Sequence, residues 1–272
     1  MSIAPPFDRR LLLWFLAAAL GCALWVYLAS LFAPRLAVPP LVAFALAFVS
    51  VTAEILLLSW CAPALKWRVS LPLVLVSVAA LAPLQGAALP ASGLAAGLLT
   101  LALGVACPLL GASLGTRIEQ PGQLVAVALV SAIADLWSVF DPGAPSARFA
   151  EQALAAPEQL AIFALPFPLC GTPLVPAVIG AGDVVFTALY VAAFRAHRLA
   201  VPRLLLALAL GYALGLLGLI VTMRPLPLLP LLGAAVIASE PAARSLHKRE
   251  WRTVGVVCGA LLLAVAVLRI SR

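Results

Sequence analysis

Ile179-Gly180-Ala181-Gly182-Asp183-Val184-Val185-Phe186 sets a carboxylate at the mouth of an apolar run, directly behind two glycines. The glycines leave room for other backbone to come close. An acid in so apolar a setting is costly, and such a group faces a protein interior or water and marks a functional candidate. A second isolated acid, Asp135, lies inside another apolar segment, Leu124 to Phe140. Two such acids suggest a working pair.

Composition gives the same class. The chain has 272 residues, 65% of them hydrophobic and only 10% charged, with a mean hydropathy of +1.16. Soluble domains are nearer half apolar and a quarter charged, so this is a polytopic membrane protein. The net charge of +7 does not point to nucleic acid, because the basic residues sit in short clusters between apolar runs. Five cysteines (Cys22, Cys61, Cys107, Cys170, Cys258) are scattered without metal-ligand spacing and read as small hydrophobes. Arg9-Arg10 before a long apolar run resembles the start of a signal peptide. The run continues to about Phe32, enough to span, so an uncleaved first helix is expected.

Apolar runs place helices at roughly 11–33, 38–62, 70–88, 92–115, 121–140, 179–197, 201–222, 225–239 and 252–269. The expected fold is an all-α membrane helix bundle of about nine spans, a single transmembrane domain over 1–272. Within it, 1–120 holds N-terminal helices, 121–240 the core with both aspartates, and 241–272 one further helix. With the N-terminus inside, twelve basic residues fall on inner segments and five on outer ones, which favours a cytoplasmic N-terminus. That count requires 141–178 not to span. Residues 158–178 are apolar but broken by Pro166, Pro168, Pro173 and Pro176, as in a re-entrant or surface-packed segment. In this topology Asp135, Asp183 and the Pro225–Pro230 stretch all fall in the outer half of the bilayer.

Two carboxylates within hydrogen-bond distance in a poorly hydrated site cannot both ionise cheaply and share a proton. The ionised one activates water and the protonated one donates to a carbonyl, the division of labour in aspartic proteases. A transmembrane substrate has its carbonyls already bonded within a helix, so the site must also hold it extended. Proline-rich backbone at Pro225-Leu226-Pro227-Leu228-Leu229-Pro230 supplies groups able to pair with such a peptide.

These residues resemble the presenilin and signal peptide peptidase family of Gly-x-Gly-Asp intramembrane aspartyl proteases, particularly its compact archaeal and bacterial members. Ala134-Asp135-Leu136-Trp137 through Pro145 is similar to the family's Tyr-Asp block and the loop after it, with Arg148 and Glu151 following. Gly180-Ala181-Gly182-Asp183 matches the second block, and Leu226-Pro227-Leu228-Leu229-Pro230 is similar to the Pro-Ala-Leu block. The resemblance covers roughly 121–240. It departs at Ala134, where the family has tyrosine, and at Leu228, where it has alanine. One helix fewer precedes the first block and an extra one follows the third.

The resemblance implies peptide hydrolysis within the membrane, with Asp135 and Asp183 sharing the acid and base roles. Gly180, Gly182, Pro227, Leu228 and Leu229 then shape the substrate site. It implies no metal or organic cofactor. The substrates would be transmembrane proteins or signal-peptide remnants in a prokaryotic cell membrane, approached in the orientation of signal peptide peptidases. A homo-oligomer stays open.

Each residue also has a plainer reading. Asp183 can cap a helix start, and Asp135 can be a buried acid paired with a basic or hydroxyl neighbour. Asp141, before Pro142-Gly143, reads as a turn residue. Glu54, inside the second apolar run, lines a cavity or bonds a neighbouring helix. His197 and His247 read as inner-surface residues. Most tryptophans sit near span ends as interfacial anchors, while Trp137 is placed to wall the site. Two other functions compete. A prepilin-peptidase-like protease carries its other acid in a different pattern near the cytoplasmic face. A transporter or catalytically silent scaffold also places acids and broken helices mid-membrane.

Overall fold

The proline and glycine breaks set where the helices start and stop. In the computed structural model, residues 9–62, 67–79, 92–141, 144, 147, 163–222, 226–244, 251, 255–256 and 258–260 are described. The first helix, α1, runs Arg9–Phe32 and tightens into a 3-10 turn at Ala33–Arg35. Helix α2 (Pro40–Cys61) opens on a proline at its first position, where no N–H is needed. It stops at Ala62, whose φ of −58° and ψ of 120° lie outside the helical region, as is favoured before a proline. Helix α3 covers Trp67–Ala79. Ser92 caps α4 (Gly93–Gly115) by accepting the Ala95 N–H at 3.3 Å. Helix α5 is Gln123–Phe140.

The proline-broken stretch is a β-ribbon in its described part. Strand β1 (Ala164–Pro166) pairs antiparallel with β2 (Ala177–Gly180), Ala164 opposite Gly180 and Leu165 opposite Ile179. A register irregularity falls between Leu165 and Pro166, as expected where proline cannot donate to the ladder. Gly171 turns the tip with φ +80° and donates its N–H to Ala33 O at 2.8 Å, tying the tip to the end of α1. Helix α6 (Ala181–Ala196) follows β2 without a gap, then α7 (Val201–Thr222), α8 (Leu229–Ser239) and a 3-10 turn at Pro241–Arg244.

The protein is therefore mostly helical, and among the described residues it carries one small ribbon that the expectation of a purely helical bundle omits. Among the described residues, five helical segments, Arg9–Arg35, Pro40–Cys61, Gly93–Gly115, Gln123–Phe140 and Val201–Thr222, are long and apolar enough to cross a membrane. The chain is membrane-embedded on that ground. Helix α8 is a shorter apolar helix and starts four residues later than expected, because Leu226 to Leu228 stay non-helical among prolines. Of the ninth expected helix, 252–269, residues 255–256 and 258–260 are described and are helical, and the rest lies outside the described residues.

Two compact units divide the chain: Met1–Arg117 with Gln152–Ala192, and Ile118–Glu151 with Ala193–Arg272. In the first, α4 is the central helix and is buried on nearly every side. Helix α1 runs antiparallel to it, Gly93 beside Ser30 and Gly97 beside Ala23. Phe15, Ala19, Leu58, Leu109 and Ala112 form its core. In the second unit α8 packs against both α5 and α7. Gly233 meets Ala128 of α5, and Gly211 and Gly215 of α7 meet Leu232 and Leu228.

The end of α6 is closed by a left-handed cap. The Leu199 N–H reaches Phe194 O at 2.8 Å and the Arg198 N–H reaches Arg195 O at 3.1 Å, with Arg198 at φ +55°.

Candidate functional site

Asp183 and the two glycines before it belong to the first unit. Strand β2 ends at Gly180, α6 starts at Ala181, and Asp183 stands in the first turn, where an acid complements the helix dipole. A methyl group on Gly180 would contact the Asp183 carboxylate oxygen at 3.4 Å, and one on Gly182 would meet nothing within 4 Å. Backbone approaches Gly180, which pairs with Ala164 across the ribbon, while the position a methyl group would take at Gly182 is open.

The helix that carries Asp183 is held by a glycine seam absent from the sequence reading. Gly111 and Gly115 of α4 lie against the backbone carbonyls of Val185 and Leu189, with Ala188 and Ala192 beside them. Small residues four apart let two helices approach to backbone contact, which in lipid is the main source of helix–helix affinity. The Gly111-x-x-x-Gly115 spacing was the available signal.

Asp135 belongs to the second unit, on α5, and is partly buried. Its carboxylate accepts the Leu229 N–H at 2.9 Å, and the Leu228 N–H also points to it. The first turn of α8 has no side-chain cap of its own. Leu229 donates to Asp135, Pro230 has no N–H, and Leu231 and Leu232 both donate to Leu228 O at 3.0 and 3.1 Å. A carboxylate from another helix thereby closes a helix start in an apolar setting. The partner is backbone, and neither of the basic or hydroxyl partners in the plainer reading of Asp135 is the one bonded here.

Of the expected site residues, the structure brings Asp135 to Leu228 and Leu229 within one unit and Gly180 to Asp183 within the other. Pro227 keeps the backbone non-helical just before this contact. Trp137, two residues after Asp135, donates Nε1–H to Asp141 at 3.1 Å.

No protein-family model, no curated protein and no solved structure matches this chain. Its function has to be read from its own residues.

One further acid belongs in that reading. Glu54 of α2 is 6% exposed, and neither carboxylate oxygen meets a hydrogen-bond partner among the described residues. A buried polar group left without a partner costs about 1–3 kcal/mol. Glu54→Met, of similar size and apolar, is therefore expected to stabilise the fold by that amount and raise the thermal unfolding midpoint by several degrees. A midpoint below the parent's would mean that the carboxyl has a stabilising partner.

Proposed function

We propose that this chain is an intramembrane aspartyl protease of the presenilin and signal peptide peptidase type, with Asp135 and Asp183 as its two acids. The observation that carries the reading is the hydrogen bond from Leu229 N–H to Asp135 at 2.9 Å, which joins two of the three sequence blocks across the second unit. In the proposed reaction one carboxylate accepts a proton from water as it attacks the scissile carbonyl. The other, protonated, donates to the carbonyl oxygen as negative charge develops there. A backbone donor held on Asp135 fixes one carboxylate oxygen and leaves the other for water.

Substrate binding follows from the elements beside the acids. The ribbon ends three residues before Asp183, and an extended peptide can add to a strand edge through main-chain hydrogen bonds. Gly180 and Gly182 leave room for it, while Pro227, Leu228 and Leu229 line the approach to Asp135. The substrates in this reading are transmembrane helices or signal-peptide remnants. The bundle has about nine spans, a cytoplasmic N-terminus and a prokaryotic cell membrane as its setting. No metal or organic cofactor takes part.

A second reading, a catalytically silent scaffold or a transporter, draws on Asp135 serving as a helix cap and on the lone buried Glu54. Purified full-length protein incubated with a reporter transmembrane peptide separates the two. The protease reading expects cleavage that Asp183→Asn and a transition-state-type aspartyl protease inhibitor each abolish. A folded parent inactive on several such peptides, or cleavage surviving Asp183→Asn, rejects it.

A further inference from the structure

The turn between α6 and α7 concentrates positive charge at the head of an apolar face. Arg195, Arg198 and Arg203 are all exposed, and they fall within nine residues of chain around a hydrogen-bonded turn. The left-handed cap pins Arg198, and His197 Nε2 lies 2.9 Å from Ile118 O, which fixes the turn to the loop before α5. Glu119, next in that loop, is exposed and is the acid nearest in sequence to the Ile118 contact among the described residues.

Arg203 also heads a stripe. At 3.6 residues per turn, positions 203, 206, 210, 214, 217 and 221 share one sector of about 80° on α7. Leu206, Leu210, Leu214, Leu217 and Val221 are each more than half exposed. A cationic head continuous with an apolar stripe along one helix matches an amphiphile with an anionic headgroup and acyl chains. A soluble anion would use only the first part, and a neutral lipid only the second.

We infer that this face is a binding site for an anionic phospholipid, its phosphate on Arg198 and Arg203 with Arg195 adding charge, and its acyl chains along the Leu206–Val221 stripe. Anionic leaflets attract basic juxtamembrane clusters, and arginine pairs with phosphate through two parallel N–H donors. A site of this kind selects lipid by charge and by chain together, and it lies within the second unit, independent of the chemistry at Asp183.

The full chain in nanodiscs of phosphatidylcholine alone, or with one fifth phosphatidylglycerol, tests the inference. The readouts are the thermal unfolding midpoint and the lipid retained in native mass spectra. Phosphatidylglycerol is expected to raise the midpoint and to be retained on the order of ten-fold above phosphatidylcholine. Arg198→Gln/Arg203→Gln is expected to lose both effects while keeping the parent's midpoint in phosphatidylcholine, and Arg35→Gln, on the first unit, to keep them. Glycerol phosphate without chains is expected to do nothing. Equal retention of the two lipids, or a preference that survives the double substitution, overturns the site. A midpoint shift reproduced by glycerol phosphate alone would make it a free-phosphate site and overturn the lipid assignment.

Discussion

Asp135→Asn is expected to lower cleavage of a transmembrane reporter by about 10²–10⁴-fold, the range of a general acid–base group, while the protein unfolds close to the parent's temperature. The amide oxygen of asparagine can still accept the Leu229 N–H, so the start of α8 keeps its cap. What asparagine cannot do is take or give a proton. Asp135→Leu removes both functions. It leaves the Leu229 donor, and the Leu228 donor beside it, without a partner in an apolar setting. Orphaning a buried donor costs about 1–3 kcal/mol, a loss of roughly 2–4 °C per kcal/mol in a protein of this size. Activity measured beside thermal unfolding for the pair therefore separates chemistry from architecture. Full cleavage by Asp135→Asn would end the two-aspartate mechanism. An Asp135→Leu protein as stable as the parent would show that the bond to Leu229 carries no stability.

The second large effect is structural and lies at Gly111. A methyl group there overlaps the Val185 carbonyl oxygen and comes within 2.9 Å of the Ala188 side chain. Backbone cannot rotate away as a side chain can, so Gly111→Ala must push α6 from α4. The cost is expected at the upper end of the 1–3 kcal/mol typical of overpacking, and Gly111→Leu should prevent stable folding. Gly21 of α1 is the internal control, with nothing within 4 Å of an added methyl. Gly21→Ala keeps its space and gains helix propensity, worth up to about 1 kcal/mol in the stabilising direction. Opposite signs for the same substitution, read from thermal unfolding in detergent, are the expected result. A neutral Gly111→Ala would mean that α6 is free to move on α4. Because α6 carries Asp183, variants that shift it without unfolding should also lose cleavage.

Much of the helical layout was legible because the cost of apolar and polar groups in lipid is paid locally. The boundaries of α2, α4, α5 and α7 lie within two residues of those expected from apolar runs and breaks. The start of α8 falls later than its apolar run suggests because Pro227 keeps the backbone non-helical, and there backbone geometry overrides hydropathy. The stretch before Asp183 gave a warning in its prolines but not its form. A ribbon needs a register between two segments, and Ala164 opposite Gly180 is a pairing that no single window contains.

At the site, the sequence singled out Asp135, Asp183, Gly180, Gly182, Pro227, Leu228 and Leu229, since isolated acids and breaks stand out in apolar runs. It did not assign Trp137 to Asp141, nor see Gly111 and Gly115 as the bed of the Asp183 helix. By itself the sequence determined that this is a membrane-embedded helical protein with isolated acids in its apolar segments, because transfer into lipid is decided segment by segment. Only the tertiary structure decided that Asp135 closes the start of α8. That bond joins residues 94 positions apart, and it exists because a helix start surrounded by apolar side chains must find its acceptor on whichever neighbour the packing supplies.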